Sequence, residues 1–124
     1  MYKRLFICLL LSLSIMSACN SEPKSFIGES DNWKAKLNTA SDGKVEGFVL
    51  SYIGSDMQSI GLFNAGVHAG NFGFKSSGAE LNEDGKFVFD VEENPNDMVV
   101  KKANEIITTI EWDGNTEEIT LSDQ

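Results

Sequence analysis

The stretch "IITTIEWDGNTEEITLS", residues 106–122, contains two runs of alternating apolar and polar residues with a turn sequence between them. The apolar and threonine positions that share one face are Ile106, Thr108, Ile110 and Trp112 in the first run and Ile119 and Leu121 in the second. A period of two predicts half-buried strands. The residues between the runs, Asp113 to Thr116, are typical of a hairpin turn, so the stretch predicts an antiparallel β-hairpin.

Two registers of this hairpin are compatible with the sequence. A loop of Asp113-Gly114 places Thr108 opposite Ile119, whereas a loop of Gly114-Asn115 places Ile110 opposite Ile119. Both registers keep the apolar side chains on one face, and a slip by a single residue would expose them.

The same pattern continues toward the amino terminus. Further strands are predicted over 33–39, 44–53, 60–63, 72–74 and 87–91. Asp42-Gly43 and Asp84-Gly85 are predicted turns between them. Residues 30–124 are therefore predicted to form one all-β domain, an immunoglobulin-like antiparallel β-sandwich of about six to eight short strands. A small barrel is the alternative.

Residues 94–105 fit two structures. Asp97 could cap a short helix over Met98 to Asn104, or the chain could be extended through Val99 and Val100.

The amino terminus has the composition of an export signal. Lys3 and Arg4 precede residues 5–16, which are apolar except for two serines. Twelve residues are too few to span a bilayer, which takes about 20. A basic head and a short apolar core are typical of a signal peptide. A cut before Cys19 places the large Met16 three positions back, which fits ordinary signal cleavage poorly.

The sequence Met16-Ser17-Ala18-Cys19 resembles the lipobox of bacterial lipoproteins, which usually has leucine where Met16 stands. The resemblance implies a signal peptide over 1–18, cleavage between Ala18 and Cys19, and a diacylglyceryl thioether on Cys19. Two acyl chains anchor a protein stably. Membrane lipid is then the partner of Cys19, and the extracytoplasmic face of the cell membrane is the location. Residues 19–29 are expected to be the lipidated cysteine and a flexible tether. The alternatives are a plain signal peptide with a chance cysteine and an uncleaved membrane anchor.

A second resemblance involves both ends of the remaining chain. Residues 28–34 and the hairpin from Ile110 to Leu121 are similar to segments of small lipoproteins from Gram-positive bacteria. This resemblance implies the same extracytoplasmic location and a β-sandwich fold, and it supplies no site residues.

The charge of the chain narrows the class of partner. All nineteen acidic residues follow Cys19, whereas Lys3 and Arg4 account for two of the ten basic residues. The chain from Cys19 onward therefore carries a formal charge of −11. Nucleic acids and anionic lipid surfaces bind to basic faces, so neither is an expected partner.

The glycine-rich stretch 64–74, "NAGVHAGNFGF", is the most unusual part of the domain. Its default interpretation is a loop or bulge that enters a strand. If the domain has a ligand-contacting loop, Gly66, His68, Gly70 and Asn71 are the residues expected to form it. His68 is the only histidine. Metal sites built on imidazole normally use two or three, so neither a metal site nor a catalytic residue is predicted.

Two groups of acidic residues are predicted to face solvent. Asp90, Glu92, Glu93 and Asp97 surround a turn, but their spacing is not that of a calcium-binding loop. Glu117-Glu118 is interpreted as a pair of exposed charges that discourage association between sheet edges.

The function expected from these features is that of a non-catalytic, membrane-anchored binding or interaction module. Its partner would be an unidentified extracytoplasmic protein or small ligand, and no cofactor is expected. The alternatives are an enzyme or enzyme-accessory subunit with an unrecognised site, and a calcium-binding β domain.

Overall fold

The structure is a computed structural model that describes residues 22–70, 72–89, 98–101 and 105–124. These residues contain eight strands: β1 (Lys24–Glu29), β2 (Trp33–Thr39), β3 (Val45–Tyr52), β4 (Phe63–His68), β5 (Gly73–Ala79), β6 (Lys86–Phe89), β7 (Ile106–Trp112) and β8 (Asn115–Asp123). A short 3-10 helix, Met57–Ser59, lies between β3 and β4.

The hairpin predicted from residues 106–122 is formed by β7 and β8. Trp112 pairs with Asn115 and Thr108 pairs with Ile119, so the loop is Asp113-Gly114 and the first of the two registers is confirmed. Asp113 and Gly114 have φ values of 45° and 76°. Positive φ at both loop residues is what a type I′ turn requires, and this turn matches the twist of the two strands.

All eight strands belong to one antiparallel sheet in the order β5-β4-β7-β8-β1-β2-β3-β6. The ring centroids of Phe74 on β5 and Phe89 on β6 are 4.4 Å apart, which shows that the two edge strands approach each other. The sheet therefore curls nearly into a barrel. The prediction of an all-β antiparallel domain is confirmed. An immunoglobulin-like sandwich consists of two sheets, and this finer prediction is not confirmed.

The interior is filled by the inward-facing residues of the strands. On β2, Trp33, Ala35 and Leu37 are fully buried, whereas Lys36 between them is exposed. The Trp33 ring contacts the rings of Tyr52, Phe63 and Trp112, with centroid distances of 5.2–5.6 Å. Aromatic pairs at such distances stabilise beyond the area that they bury. The inward-facing residues of β2, which the predicted alternation identifies, therefore lie at the centre of the core.

The two halves of the sheet meet where β1 lies beside β8. β1 pairs with β2 over six residues, but it pairs with β8 only at Phe26 and Ile27. Beyond these pairs Gly28 lies directly against β8. A Cβ at Gly28 would lie 2.5 Å from the Thr120 carbonyl oxygen and 2.6 Å from Ile119 Cγ2. The close approach of the two strands therefore requires glycine at this position.

The structure corrects the predicted boundary between tether and domain. The tether was expected to extend to residue 29, but β1 begins at Lys24. Its first residue pairs with Thr39 and its last with Lys34, and Phe26 packs against the core. Hydrogen bonding to β2 places this segment in the sheet although its sequence contains few apolar residues. Only residues 20–23 separate Cys19 from the first strand.

Residues 98–101 are extended. The Val45 amide donates to the Met98 carbonyl at 2.9 Å, and the Val100 amide donates to the Gly43 carbonyl at 2.8 Å. Met98 is buried against the core. For these residues the extended alternative is confirmed and the helix is not formed. Residues 94–97 and 102–104 lie outside the described part of the chain.

The two ends of the sheet differ in the connections that they carry. All odd-numbered strands begin at the same side of the sheet, and all even-numbered strands finish there. We call this side the N-terminal rim, because β1 starts there. This rim carries the 40–44 turn and the connection that follows β4, in which the Ala69 amide donates to the Phe72 carbonyl at 3.0 Å. The opposite rim carries the turns at 30–32, 53–62, 80–85 and 113–114.

Gly28→Ala should lower the free energy of unfolding by about 1–3 kcal/mol, the cost expected when a well-packed site is overfilled. Gly47→Ala is the matched control, because a Cβ there would have no heavy atom within 4 Å. Urea denaturation followed by tryptophan fluorescence measures both changes. Equal effects of the two substitutions would show that the β1–β8 contact is looser than described.

Candidate functional site

A groove of about 590 Å³ lies on the outer face of β5, β4 and β7. It runs parallel to the strands. Asn64 and Glu111 line it toward the opposite rim, and His68 and Gly73 line it toward the N-terminal rim. The face is built by the residues of β4 that alternate with the buried Ala65 and Val67.

The groove exists because two glycines face outward on adjacent strands. Gly66, in the middle of β4, pairs with Lys75 on β5 and with Thr109 on β7. A Cβ at Gly66 would lie 3.1 Å from Lys75 Cβ, so even one added carbon would begin to fill the space. Gly73 pairs with His68, and a Cβ at Gly73 would lie 3.7 Å from His68 Nδ1. The floor of the groove is therefore backbone.

The ionisable groups of the groove are spread along its length. His68 pairs with Gly73 and Ile107, neither of which carries an ionisable side chain. The carboxylate of the groove, Glu111, pairs with Asn64, four residues from His68 along β4. At about 3.3 Å per residue this separation is about 13 Å. A general base and the group that orients it must be within hydrogen-bond reach. His68 and Glu111 are therefore not within hydrogen-bond reach of each other.

The amide oxygen of Asn64 helps to shape the edge of the groove. It accepts a hydrogen bond of 3.0 Å from the Gly78 amide, where the pairing of β4 with β5 shifts register. Gly78 has a φ of 65°. The extra residue in β5 is the feature of a β-bulge, which bends the edge strand locally.

The structure places the predicted ligand-contacting residues in two locations. Gly66 and His68 line the groove, but they belong to strand β4 and not to a loop. They are held there because β4 pairs with β5 on one side and β7 on the other. Gly70 lies in the turn at the N-terminal rim with a φ of 77°. Asn71 lies outside the described residues.

A second concavity, of about 510 Å³, opens at the N-terminal rim. Inward-facing residues at the strand ends line it, among them Phe26, Thr39 and Leu121. Lys24 and Asp123 form an ion pair of 3.3 Å at its edge, with both side chains about half-exposed. Exposed ion pairs contribute little to stability, so this contact adds little to the stability of the rim.

Glu117 is the polar residue whose role the sequence interpretation missed. It was predicted to face solvent with Glu118, but its side chain is partly buried and its carboxylate binds the 30–32 turn. Oε1 accepts hydrogen bonds from the Ser30 hydroxyl at 2.5 Å and the Asn32 backbone amide at 2.9 Å. Oε2 accepts one from Asn32 Nδ2 at 2.6 Å. We call this set of contacts the Glu117 clamp.

These hydrogen bonds determine the charge state of Glu117. Burial alone would raise the pKa of its carboxyl group, but the bonds from Ser30 and Asn32 stabilise the ionised form, and the pKa is lowered from its ordinary value. The sequence contained the signal for this position: counting back by twos from the inward-facing Leu121 and Ile119 places Glu117 on the inner face.

Residues 22–70, 72–89, 98–101 and 105–124 contain neither a cluster of metal ligands nor a membrane-spanning helix. Within these ranges no three histidine, cysteine or acidic residues are grouped so that they could hold a metal ion. None of the helices in these ranges is long and apolar enough to cross a membrane. Ala18, Cys19 and the acidic residues of segment 90–97 lie outside the described ranges, so the predictions for them stand as predictions.

Comparison of the chain with protein-family models, with curated proteins and with solved structures finds no match.

Glu117→Gln should lower the free energy of unfolding at neutral pH by about 1 kcal/mol, because a neutral amide replaces an acceptor of charge-assisted hydrogen bonds. Glu118→Gln, which removes an exposed carboxylate one residue away, is the control and should have little effect.

The same pair of variants tests the pH dependence. Because folding lowers the pKa of Glu117, the unfolded state takes up the proton first as pH falls. The contribution of Glu117 is therefore complete above the ordinary value of 4.5 and is lost as pH falls through the lowered pKa. Urea titrations should show the difference between wild type and Glu117→Gln shrinking in acid. A difference that stays constant to low pH would contradict the clamp.

Proposed function

We propose that this chain is a lipoprotein, anchored through Cys19 to the extracytoplasmic face of the cell membrane, whose β domain is a non-catalytic module that binds a polar ligand in the groove on β4. The observation that carries the location is the sequence Met16-Ser17-Ala18-Cys19, which four residues separate from the first strand of the domain. The ligand is a small molecule or a short segment of a partner protein.

The shape and chemistry of the groove support the binding role. Its volume of about 590 Å³ is within the range of about 300–1,000 Å³ that is typical of small-ligand sites. Polar side chains of three strands, including Lys75, Thr109 and Glu111, and the apolar side chains of Phe74 and Ile107 surround a backbone floor. Such a surface can position a ligand through several hydrogen bonds.

The spacing of the ionisable groups supports binding over catalysis. His68 and Glu111 are about 13 Å apart along the strands, too far for one to orient the other. The pairing partners of His68 are Gly73 and Ile107, which offer neither a nucleophile nor an acid.

The finer architecture of the domain is also a proposal. An immunoglobulin-like arrangement is supported by the short β1–β8 ladder, which divides the sheet into two halves of four strands. A small barrel is supported by the contact between Phe74 and Phe89, which lies across the gap between the two edge strands. The second observation bears directly on closure, so we favour the barrel.

Cys19→Ser should abolish lipidation, because serine has no thiol to form the thioether. The variant should leave the membrane fraction or persist uncleaved in the producing cell. Membrane fractionation and intact-mass spectrometry measure both properties. Detection of a cleaved and acylated variant would refute the lipid anchor.

Gly66→Val should remove binding in the groove, because the valine side chain would occupy the floor. The added Cβ would lie 3.1 Å from Lys75 Cβ, so circular dichroism and urea denaturation must first show that the variant keeps the β fold. A panel of sugars, amino acids and short peptides can be screened by NMR for shifts at His68 and Thr109. Gly47→Val adds the same side chain at an open position on β3 and should keep any binding. Binding that survives Gly66→Val, or a panel without any ligand that shifts these residues, would count against the proposed site.

A further inference from the structure

We infer that the link from Cys19 holds the N-terminal rim next to the membrane and turns the groove on β4 away from the lipid, so that the groove takes its ligand from the aqueous phase. This inference rests on the proposed lipid anchor. It goes beyond that proposal because it states which surface of the domain faces the bilayer and which class of ligand can reach the site.

The length of the link limits how far the rim can be from the membrane. Lys24, the first residue of β1, is five residues after Cys19. A fully extended chain covers at most about 3.6 Å per residue, so the two Cα atoms are no more than about 18 Å apart. β2, with seven residues, is about 23 Å long. The link is thus shorter than the domain is tall, and it cannot reach around to let the opposite rim face the lipid.

The position of β1 in the sheet decides which side of the domain can tilt toward the lipid. The strands next to β1 are β8 and β2, whereas β4 is three strands away. In an eight-stranded sheet that nearly closes, three strands correspond to about 135° around the axis. The attachment point therefore draws the β8–β1–β2 side toward the membrane when the domain tilts. Tilting in this direction raises the groove further from the surface.

The charge of the domain opposes a flat orientation on the bilayer. Eight basic residues stand against nineteen acidic ones from Cys19 onward. An excess of negative charge is repelled by anionic lipid headgroups, so the covalent link, and not adsorption, keeps the rim close. The floor of the groove is backbone at Gly66 and Gly73, and its walls combine polar side chains with the apolar Phe74 and Ile107. This lining suits a water-soluble ligand that carries both polar and apolar groups.

The experiment compares distances from the membrane to labels on opposite sides of the domain. The acylated protein is reconstituted into phosphatidylcholine vesicles that contain a headgroup-labelled acceptor lipid, and energy transfer from a thiol-linked dye is measured. Lys36→Cys on β2 and Lys75→Cys on β5 are a matched pair, because both remove one exposed lysine in the middle of a strand. Ser41→Cys at the N-terminal rim and Asp31→Cys at the opposite rim report on height.

Ser41→Cys should show the strongest energy transfer, Lys36→Cys an intermediate value, and Lys75→Cys and Asp31→Cys clearly weaker transfer. An insertion of fifteen Gly and Ser residues between Ser21 and Glu22 should reduce these differences several-fold while leaving acylation unchanged. Equal transfer at Lys36→Cys and Lys75→Cys, or stronger transfer at Lys75→Cys, in protein that floats with the vesicles would overturn the orientation and leave the lipid anchor in place. Protein without acyl chains that does not float would overturn both.

Discussion

The close contact of β1 with β8 is the constraint on which the rest of the structure depends. Without it the eight described strands would form two separate four-stranded sheets, since no other neighbouring pair among them joins the two halves of the strand order. The ladder at this contact is only two residue pairs long. Gly28 allows the backbones to approach beyond the ladder, and the Glu117 clamp joins the strands again at the opposite rim. Two short sets of hydrogen bonds, one at each end, thus hold the halves together around a tightly packed glycine.

The groove, like the β1–β8 contact, depends on a glycine within a strand. β4 pairs with a strand on each side, so its backbone is fixed by the sheet, and its outward positions are free to differ from the usual strand residues. Glycine at Gly66 leaves a depression that Thr109 and Lys75 border. A site on a rigid strand is positioned more precisely than a site on a loop, which suits recognition by several weak polar contacts.

The sequence predicted the positions of individual strands better than it predicted which strands pair with each other. The β7–β8 hairpin, including its two possible registers, and the alternation of β2 follow from local periodicity and turn residues, and both agree with the structure. β1 was missed because its pairing with β2 and β8, and not its own apolar content, places it in the sheet.

Two features of the candidate site were also hidden from the sequence, for the same physical reason. The glycines at 66 and 73 could be seen, but only the pairing of β4 with β5 shows that they share one face. The alternation of β8 indicates that Glu117 points inward, yet the donors that satisfy its carboxylate come from a turn 85 and 87 residues earlier. Period-two patterns define which face a residue occupies, and they carry no information about which strand lies beside it.

The way β1 enters the sheet also has a mechanical consequence. β1 starts at the N-terminal rim and runs toward the opposite rim between β2 and β8. A pull on Lys24 directed away from the domain therefore acts along the length of the strand and loads its six pairs with β2 and two pairs with β8 in parallel. Shearing of this kind must break many hydrogen bonds at once, whereas peeling breaks them one after another. β1 is thus positioned to transmit a pulling force between the amino terminus and a ligand bound on the outer surface of the sheet.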